Sequence, residues 1–411
     1  MARMLCVLCM IYVHVPDGQT AGIVYTLTSA DVFLFMEGML VEGPGRAGAA
    51  LLSVVSGFLA ATTLLKPGSS ALSLYRRRFV SIVVPMVFWA TVTYLVYVLA
   101  SQSRATFLDD LTSLMDRLNV IFFLTENVSG ATMHLGFLRD LFVCILLSPL
   151  LLFAVQRIAW LLFPVLGAFY LLEHDQSSIL ILRPLVVFAF SIGLYLASRQ
   201  VRLNALDRYW PLFTLLALLA ALLILLVHSG VADAAVTAFA LRGMQFDETV
   251  LYPIGRLFGS LAIWTLIPLL LGGRLQAWVQ RFTPYLFAAY CSHYLMLTLV
   301  FYGVWQPLFG GRESGLFIIW FLLAPVISMA IAVLVVNVAL RIAPPMASMI
   351  TGGRLQVSTR HFDPLYERSQ QGAVLLAWLT LTRSLDGFAG HLSAMLREWL
   401  EISWRLLYGR R

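Results

Sequence analysis

Ten apolar stretches near the length that crosses the hydrocarbon core of a bilayer, about 20 residues, recur along this chain. They span residues 4–22, 46–65, 79–100, 137–155, 158–173, 179–197, 211–230, 251–271, 284–305 and 316–340. Nothing else restricts the fold as much. In lipid each backbone N–H and C=O must be satisfied within its own segment, so each stretch is predicted to be an α-helix. Composition agrees: 60% of the 411 residues are hydrophobic and 12% charged, against roughly half and a quarter in soluble domains. The predicted class is all-α, a polytopic membrane protein with about ten transmembrane helices in one bundle.

The first stretch is unusual. Its continuous apolar run, Met4 to Val15, is shorter than a bilayer requires, and Pro16, Asp17 and Gly18 follow. Arg3 before such a run also fits a signal peptide, although no A-x-A-like cleavage site follows cleanly. Charge sets the orientation. The connections after the second, fourth, sixth and eighth stretches hold Lys66, Arg76, Arg77, Arg78, Arg157, Arg199, Arg202, Arg208, Arg274 and Arg281, with Asp207 as their only acid. The alternate connections are acidic, including Glu37, Glu42, Asp109, Asp110 and Asp116. The positive-inside rule then predicts both termini in the cytoplasm. The net charge of +7 reports topology and attraction to anionic lipid, and gives no reason to expect nucleic acid.

Residues 1–345 read as one membrane domain and 346–371 as a polar cytoplasmic connector. In 372–411, Leu385, Phe388, Leu392, Met395, Trp399, Ile402 and Leu406 recur by three and four. That spacing predicts an amphipathic helix on the inner membrane surface, with a coiled-coil seam that would make an oligomer as the alternative. In the second stretch Gly45, Ala49, Ser53 and Gly57 lie four apart, a small-residue stripe that lets a neighbouring helix come close. Cys6-x-x-Cys9 has a redox or metal spacing but no second pair, so no metal site is expected.

Ionisable groups at membrane depth are costly and are functional candidates by default. Here they are His14, His134, Arg139, Asp140, Arg183, Arg256 and His293. His14 follows Arg3 by eleven positions, which returns to nearly the same helical face about 16 Å along the axis. A neutral imidazole there could take a proton from a hydroxyl; the plain alternative is a bundle histidine beside a snorkelling arginine. Arg76 to Arg78 suit an anion or serve only as a topology signal. Arg139 and Asp140 are adjacent, so their side chains are expected to diverge to separate partners. Tyr290 and His293, three apart, share a face that Cys291 does not. Arg183 and Arg256 are expected to pair with acids of the outer loops.

Taken in order, Arg3 with His14, "SGFL" at 56–59, "YRRRFVSIVVP" at 75–85, "FLRDLFV" at 137–143 and "YCSH" at 290–293 resemble the acyltransferase-3 family of bacterial integral-membrane O-acyltransferases. The resemblance covers residues 1–345. It implies transfer of an acyl group, acetyl or succinyl, from cytoplasmic acyl-CoA to a hydroxyl of an extracytoplasmic or exported glycan or glycolipid, at the bacterial inner membrane. Acyl-CoA would be a co-substrate, with no bound cofactor. Carried over, His14 is the catalytic base, with Arg3, Arg76, Arg77 and Arg78 on the donor side. Ser56, His134, Arg139, Asp140, Tyr290 and His293 are supporting candidates. One departure stands out: counted from Arg78, the second arginine of the family's Arg-x-x-Arg element is Ser81 here, which leaves Arg76 and Arg77 as substitutes. Two rival classes use the same residues differently. A transporter or flippase would show interrupted helices in matching halves, and no such repeat is seen; a scaffold would recruit a partner through its tail.

Overall fold

A computed structural model describes residues 1–16, 32–100, 114–125, 130–171, 182–228, 251–270 and 273–355. The helices are α1 (Ala2–Tyr12), α2 (Val32–Leu40), α3 (Arg46–Leu64), α4 (Ala71–Arg78), α5 (Val84–Ala100), α6 (Leu114–Phe122), α7 (Met133–Arg157) and α8 (Ala159–Leu171). They continue with α9 (Pro184–Ser198), α10 (Trp210–His228), α11 (Tyr252–Leu270), α12 (Gly273–Phe282), α13 (Leu286–Val300), α14 (Phe317–Ile342) and α15 (Pro344–Ile350). Each of the ten apolar stretches overlaps a helix, and no β-strand occurs among the described residues. Among the described residues, seven helical runs are long and apolar enough to cross a membrane, and three apolar helices, α1, α8 and α9, are shorter. The chain is thus an all-α, multi-pass membrane protein.

Several boundaries differ from the sequence expectation, three of them near the N-terminus. The first helix ends at Tyr12, and residues 17–22 lie outside the described part. The second run starts at α2 and passes through a π-helical turn, Val41–Gly45, into α3. The third starts at Ala71 and passes through another such turn, Phe79–Val83. Pairing explains the second shift: Glu37 and Glu42, read as outer-loop acids, are both buried. Arg312 donates to Glu37 from both terminal guanidinium nitrogens, Nη2 at 2.5 Å and Nη1 at 3.3 Å. Arg46 lies 2.6 Å from Glu42, one turn away, and over the Tyr252 ring at 4.9 Å. Paired in this way, carboxylates are tolerated inside an apolar helix bundle.

Glycines set how closely the helices approach. A Cβ on Gly57 of α3 would strike the Phe190 carbonyl of α9, and one on Gly193 would strike the Val54 carbonyl in return. Gly48 faces α1 instead, where a Cβ would come within 2.7 Å of the Cys6 carbonyl. α1 therefore sits inside the bundle, against α3, α13 and α14. Met4, Cys6, Val7, Met10 and Ile11, which share one side of its axis, are all buried. Protein covers that side of this short helix.

The unit containing these helices runs to Gln356. Residues 346–355, expected in the polar connector, are its helical and partly buried end: Ala347, Ile350 and Thr351 are fully or almost fully covered. The expected amphipathic tail, 372–411, lies outside the described residues.

Candidate active site

A cavity of about 120 Å³, partly open to its surroundings, lies between α1, α3, α7 and α13. Arg3 and Arg78 line it, together with Arg354 from the turn after α15. Ser56 of α3 and Tyr290 of α13 also face it, and among the described residues no carboxylate does. Most of the remaining lining is aliphatic or aromatic. A chamber of this kind suits an elongated ligand with an anionic head and a less polar arm.

Of the sequence candidates for the donor side, the structure brings Arg3 and Arg78 together and leaves the other two out. Arg76 and Arg77 are exposed, and the Arg77 Nε donates to the Ser73 carbonyl of its own helix at 3.3 Å. Arg354 was not among the candidates. Its guanidinium lies 3.8 Å from the centroid of the Phe287 ring and donates to the carbonyls of Thr351 at 3.0 Å and Ser81 at 3.4 Å. Burial, with some repulsion from Arg3 and Arg78, lowers its pKa to about 10, which leaves it charged at neutral pH.

Beyond Tyr290, three histidines from three helical segments converge. The ring centroids are 4.6 Å apart for His134–His293, 5.4 Å for His14–His293 and 6.0 Å for His14–His134. His14, in the turn ending α1, is partly exposed, whereas His134 and His293 are buried. Backbone carbonyls fix the two buried rings. His293 Nδ1 is 2.6 Å from the Tyr290 carbonyl, and His134 Nε2 is 3.1 Å from the Cys291 carbonyl. A carbonyl only accepts, so each of those nitrogens carries the hydrogen. The opposite nitrogens, His293 Nε2 and His134 Nδ1, are buried without a partner. In the neutral rings each is therefore a bare lone pair. Tyr290 joins the two regions: it faces the cavity, its hydroxyl donates to the His134 carbonyl, and its ring lies 5.9 Å from His293.

The pair on α7 departs from expectation. Arg139 and Asp140 do not diverge. The Arg139 side chain folds back so that Nε and Nη2 lie 2.9 and 2.8 Å from Asp140 Oδ1. Three methylenes give a guanidinium enough reach to overcome the divergence of neighbouring Cβ atoms. Arg183, expected to meet an outer-loop acid, lies 3.5 Å from Asp140 Oδ2. Arg256 has no acidic partner among the described residues.

Comparison with known proteins identifies the family. Residues 1–337 match the family model described as an acyltransferase domain. The succinoglycan biosynthesis protein ExoH of Rhizobium meliloti (strain 1021) is 27% identical over 363 residues, which cover 86% of this chain and 90% of that protein. No solved structure is significantly similar. The match over most of its length makes this multi-pass chain a member of the acyltransferase-3 family.

Proposed function

We propose that the protein moves an acyl group, acetyl or succinyl, from acyl-CoA at its cytoplasmic face to a hydroxyl of an extracytoplasmic glycan or glycolipid, with His14 as the general base. The observation that carries this reading is the junction at Tyr290, with an anion-binding chamber on one side and a cluster of histidines on the other. The relative named for succinoglycan biosynthesis supports a glycan as the acceptor. The charge distribution in the sequence supports an inner-membrane location with the arginine end facing the cytoplasm.

In this mechanism the phosphates of the donor rest among the arginines and its arm points towards Tyr290. The acceptor oxygen attacks the thioester carbonyl carbon while His14 takes the hydroxyl proton. The tetrahedral intermediate then collapses, the C–S bond breaks, and the CoA thiolate takes the proton from the imidazolium. The products are the ester and free CoA. The lone pairs on His134 and His293 give that imidazolium neutral neighbours that accept hydrogen bonds.

Mass spectrometry of envelope glycans from cells carrying wild type, His14→Ala or no gene tests the reading. The expected result is an acyl-sized mass on a sugar that is present with wild type and absent from both other strains. Normal acylation with His14→Ala, at matched expression, would refute His14 as the base. A glycan unchanged by deleting the gene would refute the acceptor class.

A further inference from the structure

Arg354 lies past the end of the family match, which stops at residue 337, yet its side chain is built into the chamber. Three features of the chain put it there. Pro344 and Pro345 open α15, and Gly352 and Gly353 close it with φ of 63° and 72°, a backbone that favours glycine. The Gly353 N–H bonds the Ser348 carbonyl at 2.7 Å, the bond that turns a chain back at a helix end. A Cβ on Gly352 would collide with the Arg354 guanidinium and come within 2.5 Å of the Ser81 carbonyl. The third feature lies on the opposite wall. Pro85 has no N–H, so the Ser81 carbonyl, four residues earlier, has lost its α-helical donor, and Arg354 donates to it.

Ser81 is the position at which this chain lacks the second arginine of the family's Arg-x-x-Arg element. Arg354 brings a guanidinium to that residue's backbone from the far end of the domain. None of Arg3, Arg78 and Arg354 has an acidic partner among the described residues, so the chamber holds three uncompensated positive charges. Resting on the donor assignment above, we infer that Arg354 is a donor-binding residue that replaces the missing arginine and, with Arg3 and Arg78, cradles the phosphates of the acyl carrier.

The test is binding of coenzyme A to the purified full-length protein in phosphatidylcholine nanodiscs, with and without phosphatidylglycerol. The variants are Arg354→Gln, Arg354→Lys, Arg78→Gln and, to control for net charge, the exposed Lys66→Gln. Loss of one charge-assisted contact is expected to weaken coenzyme A by about tenfold or more in Arg354→Gln and Arg78→Gln. Lys66→Gln should leave the affinity unchanged. Arg354→Lys should recover much of it, because the charge remains; equal losses in the Lys and Gln variants would mean a structural anchor and overturn the proposal. Weakening in Arg78→Gln but not in Arg354→Gln would overturn it while sparing the donor reading. Loss of phosphatidylglycerol alone in Arg354→Gln would assign the residue to lipid and also overturn it. No coenzyme A binding by wild type would bring down both together.

Discussion

Asp140 lets the cost of an intramembrane charge be worked out from its surroundings. The side chain has no exposed surface and bridges Arg139, which is 9% exposed, and Arg183, which is 41% exposed. Asp140→Asn keeps the volume and removes only the charge. Breaking a buried ion pair by removing one partner costs about 3–5 kcal/mol. The lower end applies here, because Arg139 keeps the Thr125 carbonyl and an asparagine oxygen, and Arg183 can turn to solvent. The expected loss is therefore about 3 kcal/mol. Arg183→Met, which removes a half-exposed partner, should cost no more than about 1 kcal/mol. Replacing both buried partners, Arg139→Met with Asp140→Leu, should recover most of the loss, since no charge is left stranded. The assay is reversible unfolding of the purified protein in mixed micelles. A loss below about 0.5 kcal/mol for Asp140→Asn, or a larger one for Arg183→Met than for Asp140→Asn, would refute this reasoning about buried charge.

Two further predictions concern the histidines and the helix contacts. His293→Asn keeps a donor for the Tyr290 carbonyl but removes the Nε2 lone pair. Turnover should fall by about tenfold or more with coenzyme A affinity unchanged, and equal loss of both would mean that the ring only supports packing. Gly57→Ala should destabilise by about 1–3 kcal/mol, because its Cβ meets the backbone of α9 rather than a flexible side chain. That outweighs the gain of about 1 kcal/mol in helix propensity, so a raised unfolding midpoint would contradict the close approach.

The helices were legible because an apolar stretch of bilayer length has few other folds open to it. Boundaries depart from expectation where charged residues stand inside a helix. Glu37 and Glu42 look like loop acids until Arg312 and Arg46 are seen beside them, and Arg312 is 275 positions away from Glu37. The arginine cluster was half legible. Helical rotation carries Arg78 towards the chamber while Arg76 and Arg77 point elsewhere, and the sequence does not say which of three neighbours faces in. Positions 14, 134 and 293 each drew notice as a histidine in an apolar segment. Their convergence depends on how three helices pack, which no local pattern encodes. Arg354 stood in a stretch read as linker, although the helix stop Gly352-Gly353 directly before it was a usable signal.

The brevity of α1 has a consequence for how the two substrates meet. Eleven residues rise about 16 Å, roughly half of a 30 Å hydrocarbon layer. On the proposed function, with Arg3 at the cytoplasmic surface, the imidazole closing that helix would rest near the midplane. Each reactant would then need to penetrate only half the thickness of the bilayer, and the acyl group would change compartments by exchanging a thioester for an ester. A stub of a helix among longer neighbours would thereby take the place of a translocation step.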